Sequence, residues 1–215
     1  GINLETFNQK NFFYNNFRKE LGLKNNQYII SNIGGLILQK GQIYLLQASI
    51  EIIKKFPKTI FLIIGDNENS IDIQIKKKLK SFINSNNLSK NLFLLGHRND
   101  IPNILQQTNL FAFPSLMEGF GLALAEAMAM NVPVIASNIG PIPELINHNI
   151  NGILVPPKDP LTLSKAILEL MQNPQKSQKI AVNGRKRIED HFSSTLMVNK
   201  TEVLYQNLLR KKKVI

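Results

Sequence analysis

The chain has 215 residues, of which 43% are hydrophobic, a formal net charge of +11, and neither Cys nor Trp. This length allows one or two domains with a sizeable core, and no window is long and apolar enough to span a bilayer. The lack of Cys excludes disulfides and fits a reducing compartment, so we expect a cytoplasmic location.

Short apolar, β-branched runs alternate with helical patterns along the chain. Strands are predicted at 28–33, 59–65, 91–96, 110–115, 132–137 and 152–157. Helices are predicted at 42–56, about 71–84, from Asp100, from about Gly121, at 159–173 and in two further segments, the last running from Ser194 to about Arg210. Asp100 and Asp159 stand where N-caps are expected, each with a proline in the first helical turn.

Continuous apolar strands between helices indicate a parallel sheet that is covered on both faces. Right-handed crossovers then give an open, doubly wound, Rossmann-like α/β fold, which we predict as a single domain over 1–215. Ligands of such folds bind outside the carboxyl ends of the strands. Three of those ends carry glycine-rich or polar loops, "IGG", "LGHRND" and "FPSLMEGFG".

The basic excess suggests contact with an anionic partner, either nucleic acid, an anionic membrane surface or a phosphorylated substrate. The clusters at 76–78 and 210–213 are more typical of solvated helix faces and a basic tail than of a binding surface. The sequence has no helix-turn-helix, zinc-knuckle or RNP-type aromatic motif, so nucleic-acid binding is supported by charge alone.

Two glutamates in "EGFGLALAE" are the first candidates for a ligand site. Glu118 precedes Gly119 and Gly121, where free N–H groups and the dipole of the following helix favour a phosphate. Glu126 lies in "GLALAEAMAM", an otherwise apolar helix that we expect to be fully buried. An unpaired carboxylate there would cost on the order of several kcal/mol, so it needs partners. These are either sugar hydroxyls or a Lys or Arg elsewhere, and the spacing does not decide between them.

The loop after the first strand, "NIGGLILQKGQ", is neither a dinucleotide fingerprint nor a P-loop. It places Lys40 at the start of a helix, where an ammonium could neutralise a leaving diphosphate. The alternative is an ordinary surface lysine.

Four blocks, "GLILQKG", "FLLGHRNDIPNIL", "FPSLMEGFGLALAEAMAMNVPVIASNIGPIPELI" and "NGILVPPKDP", occur in one order. Together they resemble the C-terminal, nucleotide-sugar-binding half of the retaining GT-B glycosyltransferases of family four, over essentially the whole chain. The resemblance implies a nucleotide-sugar donor, a glycan or lipid-linked acceptor, and neither a metal nor a cofactor.

The resemblance also implies roles for individual residues. Glu126 would accept hydrogen bonds from the nucleotide ribose, Glu118 would orient the donor sugar, and Lys40 would stabilise the departing diphosphate. The backbone amides of Gly119, Phe120 and Gly121 would hold the sugar and distal phosphate. The remaining donor-binding positions are Gly34, Gly35, Gly96, His97 and Arg98, of which the last three would edge the base largely through main-chain atoms. The alternative for His97 and Arg98 is that their side chains are ordinary polar loop residues.

Two residues depart from the family pattern, and half of the family architecture is absent. Gly35 stands where an arginine usually shares the diphosphate with the lysine, and Asn67 replaces a usual glycine. "GINLETF" resembles the family's entry to its second domain, so we expect the chain to be part of a longer enzyme. The helix at 194–215 would pack on the missing half, and the isolated chain would transfer little sugar.

Two other interpretations remain open at this stage. The chain could be a non-catalytic module of the same shape, with its diphosphate clamp lost at Gly35, that serves as a partner subunit or a membrane-docking piece. It could also be a basic nucleic-acid-binding domain, whose affinity would fall steeply with salt.

Overall fold

A six-stranded parallel sheet forms the centre of the computed structural model, which describes residues 1–11, 17–66 and 70–212. The strands are β1 (Ile29–Ile33), β2 (Ile60–Ile64), β3 (Leu92–Gly96), β4 (Leu110–Phe113), β5 (Val134–Ser137) and β6 (Ile153–Val155). Their order is β3-β2-β1-β4-β5-β6, and every neighbouring pair is parallel. This is the doubly wound order of Rossmann-like domains, so the predicted fold class is confirmed.

Helices connect the strands and cover both faces of the sheet. They are α1 (Phe17–Glu20), α2 (Gln42–Lys55), α3 (Ser70–Ser85), α4 (Ile101–Gln107), α5 (Leu122–Ala129), α6 (Ile142–Leu145), α7 (Pro160–Gln172), α8 (Pro174–His191) and α9 (Ser194–Lys212). Alternate residues of β5 belong to different cores, as expected of a strand buried on both faces. Ile135 packs in the core that includes α2 and α7, whereas Val134 and Ala136 pack in the core that includes α5 and α8.

Prolines explain why two strands end before their predicted limits. β4 ends at Phe113 because Pro114 has no N–H to donate to the ladder, and β6 ends at Val155, immediately before Pro156. The other predicted strands and helices agree with the structure to within a few residues at each end. Asn67 and residue 213 lie outside the described residues.

The two predicted N-caps have different outcomes. Asp159 caps α7, because its Oδ1 accepts from the amide of Thr162 at 2.9 Å. The predicted side-chain cap at Asp100 is wrong: its carboxylate makes no cap hydrogen bond and instead accepts from the Arg98 guanidinium at 2.8 Å. A two-point, charged hydrogen bond is stronger than one to a neutral amide, so the arginine takes the carboxylate.

The last helix, α9, contributes none of its described residues to the hydrophobic cores that cover the faces of the sheet. All α9 side chains from 197 to 210 are exposed, among them several large apolar ones, Met197, Val198, Val203, Leu204, Tyr205, Leu208 and Leu209. Among the described residues, no helix has the length and apolar character needed to cross a membrane.

Candidate functional site

The sheet order locates a crevice at the carboxyl ends of β1 and β4. The chain passes from β1 towards β2 and β3 on one side, then returns to β4 on the other side of β1. At such a switch point the two following loops lead to opposite faces of the sheet and leave a crevice between them. The loop after β1 contains the sequence-predicted Gly34, Gly35 and Lys40, and the loop after β4 contains Glu118 to Gly121.

Backbone contacts hold these two loops against each other. The Leu116 amide donates to the Gln39 carbonyl at 2.6 Å. Gly41 has φ +61°, and a Cβ built there would lie only 2.1 Å from the Pro114 carbonyl oxygen. Only a glycine fits this left-handed, close-packed position. The loops therefore meet at a separation that a larger residue would disrupt.

Lys40 and Glu118 form an ion pair across the crevice. Lys40 Nζ lies 2.7 Å from Glu118 Oε1, and the side chains are 25% and 8% exposed respectively. The ammonium also lies 5.9 Å from the centroid of the Phe113 ring. Lys40 is therefore a partly sheltered cation beside a carboxylate, not a free surface lysine. A cation suits a diphosphate and a carboxylate suits sugar hydroxyls, so the pair offers both groups at one place.

Glu126 lies on the one open side of α5. Leu122, one turn earlier on the same side, is 57% exposed, whereas Leu124, Ala125 and Ala127 are buried. The expectation of a fully buried helix is therefore wrong, because this side faces out of the sheet's core. Burial nevertheless raises the pKa of Glu126 from 4.5 to about 7.

Within the described part of the chain, the Glu126 carboxylate has no ion-pair or hydrogen-bond partner. The alternative of a buried Lys or Arg partner is not what the structure shows. A half-buried carboxylate without a charged partner is suited to accept hydrogen bonds from the neutral hydroxyls of a ligand.

Three consecutive backbone amides, those of Gly119, Phe120 and Gly121, have no hydrogen-bond acceptor among the described residues. Gly121 has φ +89° and stands at the N-cap of α5, so these amides lie at the positive end of the helix dipole. A Cβ built on Gly119 would meet no atom within 4 Å, which leaves its backbone open to a ligand. The Phe120 ring instead packs on Phe192, with centroids 5.8 Å apart.

The loop after β3 reaches the same edge of the sheet through its main chain. Gly96 has φ +69°, and its carbonyl accepts from the amide of Gly65 at 2.8 Å. The side chain of Arg98 is held by two carboxylates, with Nη1 2.5 Å from Glu20 Oε1 and Nε 2.8 Å from Asp100 Oδ1. These bonds also keep the pKa of Asp100 below its ordinary value.

Arg98 and His97 therefore offer a ligand their backbone more readily than their side chains. The Arg98 guanidinium is already bonded to the Glu20 and Asp100 carboxylates. His97 Nε2 lies 3.0 Å from Asn99 Oδ1 on the surface. That His97 and Arg98 contact the donor through their main-chain atoms stays a prediction.

Sequence reasoning missed two buried polar residues beside the crevice. Gln42 Nε2 donates to the Gly35 carbonyl at 2.9 Å, and Asn32 Nδ2 donates to the Ala112 carbonyl at 2.9 Å. Both residues are 1% exposed. An asparagine in the middle of the buried first strand, beside Ser31, was the available signal.

A cavity of about 330 Å³ lies elsewhere, at the amino-terminal edge of the sheet. Tyr28, Phe56, Thr59 and Met171 line it, and none of its lining residues belongs to the crevice loops. We assign the site to the crevice because the charged pair and the open amides lie there, and Glu126 lies on the helix that follows those amides. In the described part of the chain, no three His, Asp or Glu side chains are grouped to hold a metal ion.

The fold is a Rossmann-like domain with a crevice at the switch point of its sheet. Residues 13–187 match the family described as Glycosyl transferases group 1, and the chain belongs to that family. The resemblance found in the sequence is thereby confirmed.

Relatives with assigned activities and ligands are also glycosyltransferases. The chain is 33% identical over 193 residues to the Escherichia coli UDP-Gal:alpha-D-GlcNAc-diphosphoundecaprenol alpha-1,3-galactosyltransferase, covering 89% of this chain and 48% of that protein. Anabaena HepE in complex with UDP-glucose superposes with a TM-score of 0.87 at 25% identity, over 96% of this chain and 56% of that one. The chain spans about half the length of the curated relatives it matches.

A second similar structure is that of a single domain. The C-terminal domain of a glycosyl transferase group 1 family protein, LpcC from Francisella tularensis, superposes with a TM-score of 0.77 at 27% identity. The match covers 90% of this chain and 100% of that domain.

Proposed function

We propose that this chain is the donor-binding half of a retaining glycosyltransferase, which binds a nucleoside diphosphate sugar in the crevice between the loops after β1 and β4. The observation that carries the proposal is the Lys40–Glu118 pair, 2.7 Å apart, beside the three open amides at the start of α5. Cationic, anionic and N–H groups at one point match the diphosphate, hydroxyl and phosphate oxygens of such a donor.

The donor would lie across the crevice with each part against a matching group. The Lys40 ammonium binds the diphosphate, and the amides of 119–121 bind the distal phosphate and sugar. Glu118 accepts hydrogen bonds from the sugar hydroxyls and so turns the anomeric carbon towards the acceptor. Glu126, which is half-buried and has no cationic partner, accepts from the ribose hydroxyls.

The reaction breaks the bond between the anomeric carbon and the diphosphate oxygen. The bonding electron pair leaves with the diphosphate, where Lys40 and the start of α5 stabilise the new charge in place of a metal ion. An acceptor hydroxyl attacks from the face that the diphosphate leaves, and its proton passes to the departing phosphate oxygen. Attack on that face retains the anomeric configuration and needs no enzyme nucleophile.

The names of the relatives favour a UDP-sugar and an envelope glycan. The Escherichia coli relative uses UDP-Gal and a diphosphoundecaprenol-linked acceptor, and another relative, from Staphylococcus aureus, is a capsular polysaccharide glycosyltransferase. We propose a UDP-sugar donor and a glycan or lipid-linked acceptor for this protein. A cytoplasmic enzyme with a charge of +11 can bind to the anionic inner face of the membrane to reach such an acceptor.

The acceptor would be bound by a second domain, which together with this chain makes up the length of the relatives. The exposed apolar side of α9, which includes Met197, Leu204 and Leu208, would pack on that domain. Gly35, in place of the usual arginine, would weaken the hold on the diphosphate. We expect donor binding by this chain alone to be weak and sugar transfer to require the second domain.

Calorimetric titration of the 215-residue chain with UDP-glucose, GDP-mannose and ADP-glucose tests the proposal. We expect UDP-glucose to bind equally in EDTA and in Mg²⁺, and the Glu126→Ala variant to lose most of the affinity. Binding of none of the three, or binding that Glu126→Ala leaves unchanged, would contradict it.

A further inference from the structure

We propose that Asn32 is a positioning residue of the donor site. Its side-chain amide sets the separation of β1 and β4 at the floor of the crevice and thereby the approach of Lys40 to Glu118. The inference rests on the proposed function, which places the donor in that crevice.

Backbone pairing between β1 and β4 stops short of the crevice. Ile30 pairs with Leu110 and Ser31 with Phe111, but no later residues of the two strands pair. On its other side β1 pairs with β2 at all five positions, from Ile29 to Ile33. The carboxyl end of β1 therefore stays with β2 and separates from β4, and this separation opens the crevice.

Asn32 crosses the gap at the first position beyond the backbone ladder. Its Nδ2 donates to the Ala112 carbonyl at 2.9 Å, so a side-chain amide takes the place of a backbone N–H. The amide satisfies the carbonyl of β4 while the two strands stand apart, which a direct ladder bond would not allow. The side-chain hydrogen bond thus links β1 and β4 at this point, although the backbone ladder between them does not continue there.

The chain retains Asn32 at a cost in stability. Asn32 is 1% exposed, and its Oδ1 is buried without a hydrogen-bond partner among the described residues. On β4's side, the Ser115 hydroxyl is likewise buried without a partner in the described part of the chain. Unsatisfied buried acceptors destabilise a fold and are typical of functional sites. An apolar side chain of the same size would avoid the unsatisfied oxygen but could not bond the carbonyl.

The spacing at Asn32 is transmitted directly to the charged pair. Gly34 begins the loop that carries Lys40, and Pro114 begins the loop that carries Glu118. The Gln39 carbonyl and the Leu116 amide, 2.6 Å apart, join the two loops. A change in strand separation at Asn32 therefore moves the two charged side chains relative to each other.

The substitution Asn32→Leu tests this role in the 215-residue chain, with UDP-glucose affinity and thermal melting as the two readouts. We expect affinity to fall about tenfold or more, since small displacements of positioned groups are costly, while the melting temperature changes little. The control is Ser31→Ala, which removes the buried Ser31–Thr108 hydrogen bond of 3.0 Å on the same strand. It should lower the melting temperature and leave affinity unchanged.

Asn32→Ser is a second variant in case Asn32→Leu does not fold. Its hydroxyl is too short to reach the Ala112 carbonyl, so the same loss of affinity is expected. Wild-type affinity in the folded fraction of either variant would overturn the positioning role while leaving the proposed function intact. Failure of the wild-type chain to bind any of the three nucleotide sugars would overturn both.

Discussion

Lys40 and Glu118 are 78 residues apart in the chain, yet their Nζ and Oε1 atoms are 2.7 Å apart. They meet because β1 and β4 are neighbours at the switch point of the sheet, so their following loops share one crevice. If the donor binds as we propose, a free nucleoside diphosphate would compete with Glu118 for the Lys40 ammonium, whereas a diphosphate sugar would use both groups.

This competition predicts opposite effects of Glu118→Gln on two ligands. UDP should bind several-fold more tightly, because Lys40 loses its anionic partner, and UDP-glucose should bind more weakly, because charged hydrogen bonds to the hydroxyls become neutral ones. Calorimetric titration with both ligands measures the ratio of the two affinities. Glu169→Gln, which breaks the surface pair with Lys176, is the matched control and should leave the ratio unchanged. A parallel change in both affinities would contradict the competition.

Two glycines beside the crevice should respond differently to alanine. In Gly119→Ala the new Cβ meets no atom within 4 Å, so stability should hold while UDP-glucose affinity falls, because the methyl group covers the open amides. In Gly41→Ala the Cβ would lie 2.1 Å from the Pro114 carbonyl oxygen, and residue 41 has φ +61°. The free energy of unfolding should therefore fall by about 2 kcal/mol or more. Urea denaturation and calorimetry distinguish the two outcomes. Full UDP-glucose affinity in Gly119→Ala would count against the amides as a ligand site.

The raised pKa of Glu126 predicts how stability depends on pH. The folded state holds the Glu126 proton up to a pKa of about 7, whereas the unfolded chain loses it near 4.5. The contribution of Glu126 to stability is therefore fully present below 4.5 and is lost as the pH rises through 7. Glu126→Gln should be more stable than the wild type at pH 8, with the difference shrinking at pH 5. Urea midpoints of the variant and the wild type at the two pH values measure this difference in stability. A difference that does not change with pH would show that burial does not shift the pKa of the Glu126 carboxyl.

Restoring the usual arginine at Gly35 should strengthen donor binding. Gly35→Arg adds a guanidinium to the loop that carries Lys40, and a charged hydrogen bond to the diphosphate contributes about 1–3 kcal/mol. We expect a gain of about tenfold in UDP-glucose affinity by calorimetry, with Gly35→Ala as the control for the loss of glycine. If Gly35→Arg and Gly35→Ala bind alike, position 35 does not face the diphosphate.

The sequence predicts most of the fold because its strands are apolar on both faces. Runs such as 60–64, which is buried throughout, are fully explained by a parallel sheet between helices. The convergence of Lys40 and Glu118 also follows from the topology, since the carboxyl ends of neighbouring parallel strands share one edge.

The features of the fold and the site that the sequence did not predict depend on contacts that the periodicity of the sequence does not encode. Asp100 stands where a cap is expected, but its carboxylate instead accepts two hydrogen bonds from Arg98, whose guanidinium also binds Glu20, far away in the sequence. Leu122 is apolar yet exposed, because α5 starts at the rim of the crevice. The apolar or polar character of a residue predicts whether it is buried or exposed, but it does not predict where the open edge of a ligand site lies.

A crystal structure of the 215-residue chain with UDP-glucose would show directly whether the donor binds in the crevice. We expect the diphosphate within hydrogen-bond distance of Lys40 Nζ and the amides of 119–121, with the ribose hydroxyls on the Glu126 carboxylate. A nucleotide seated instead in the cavity at the amino-terminal edge, beside Tyr28 and Met171, would contradict this expectation.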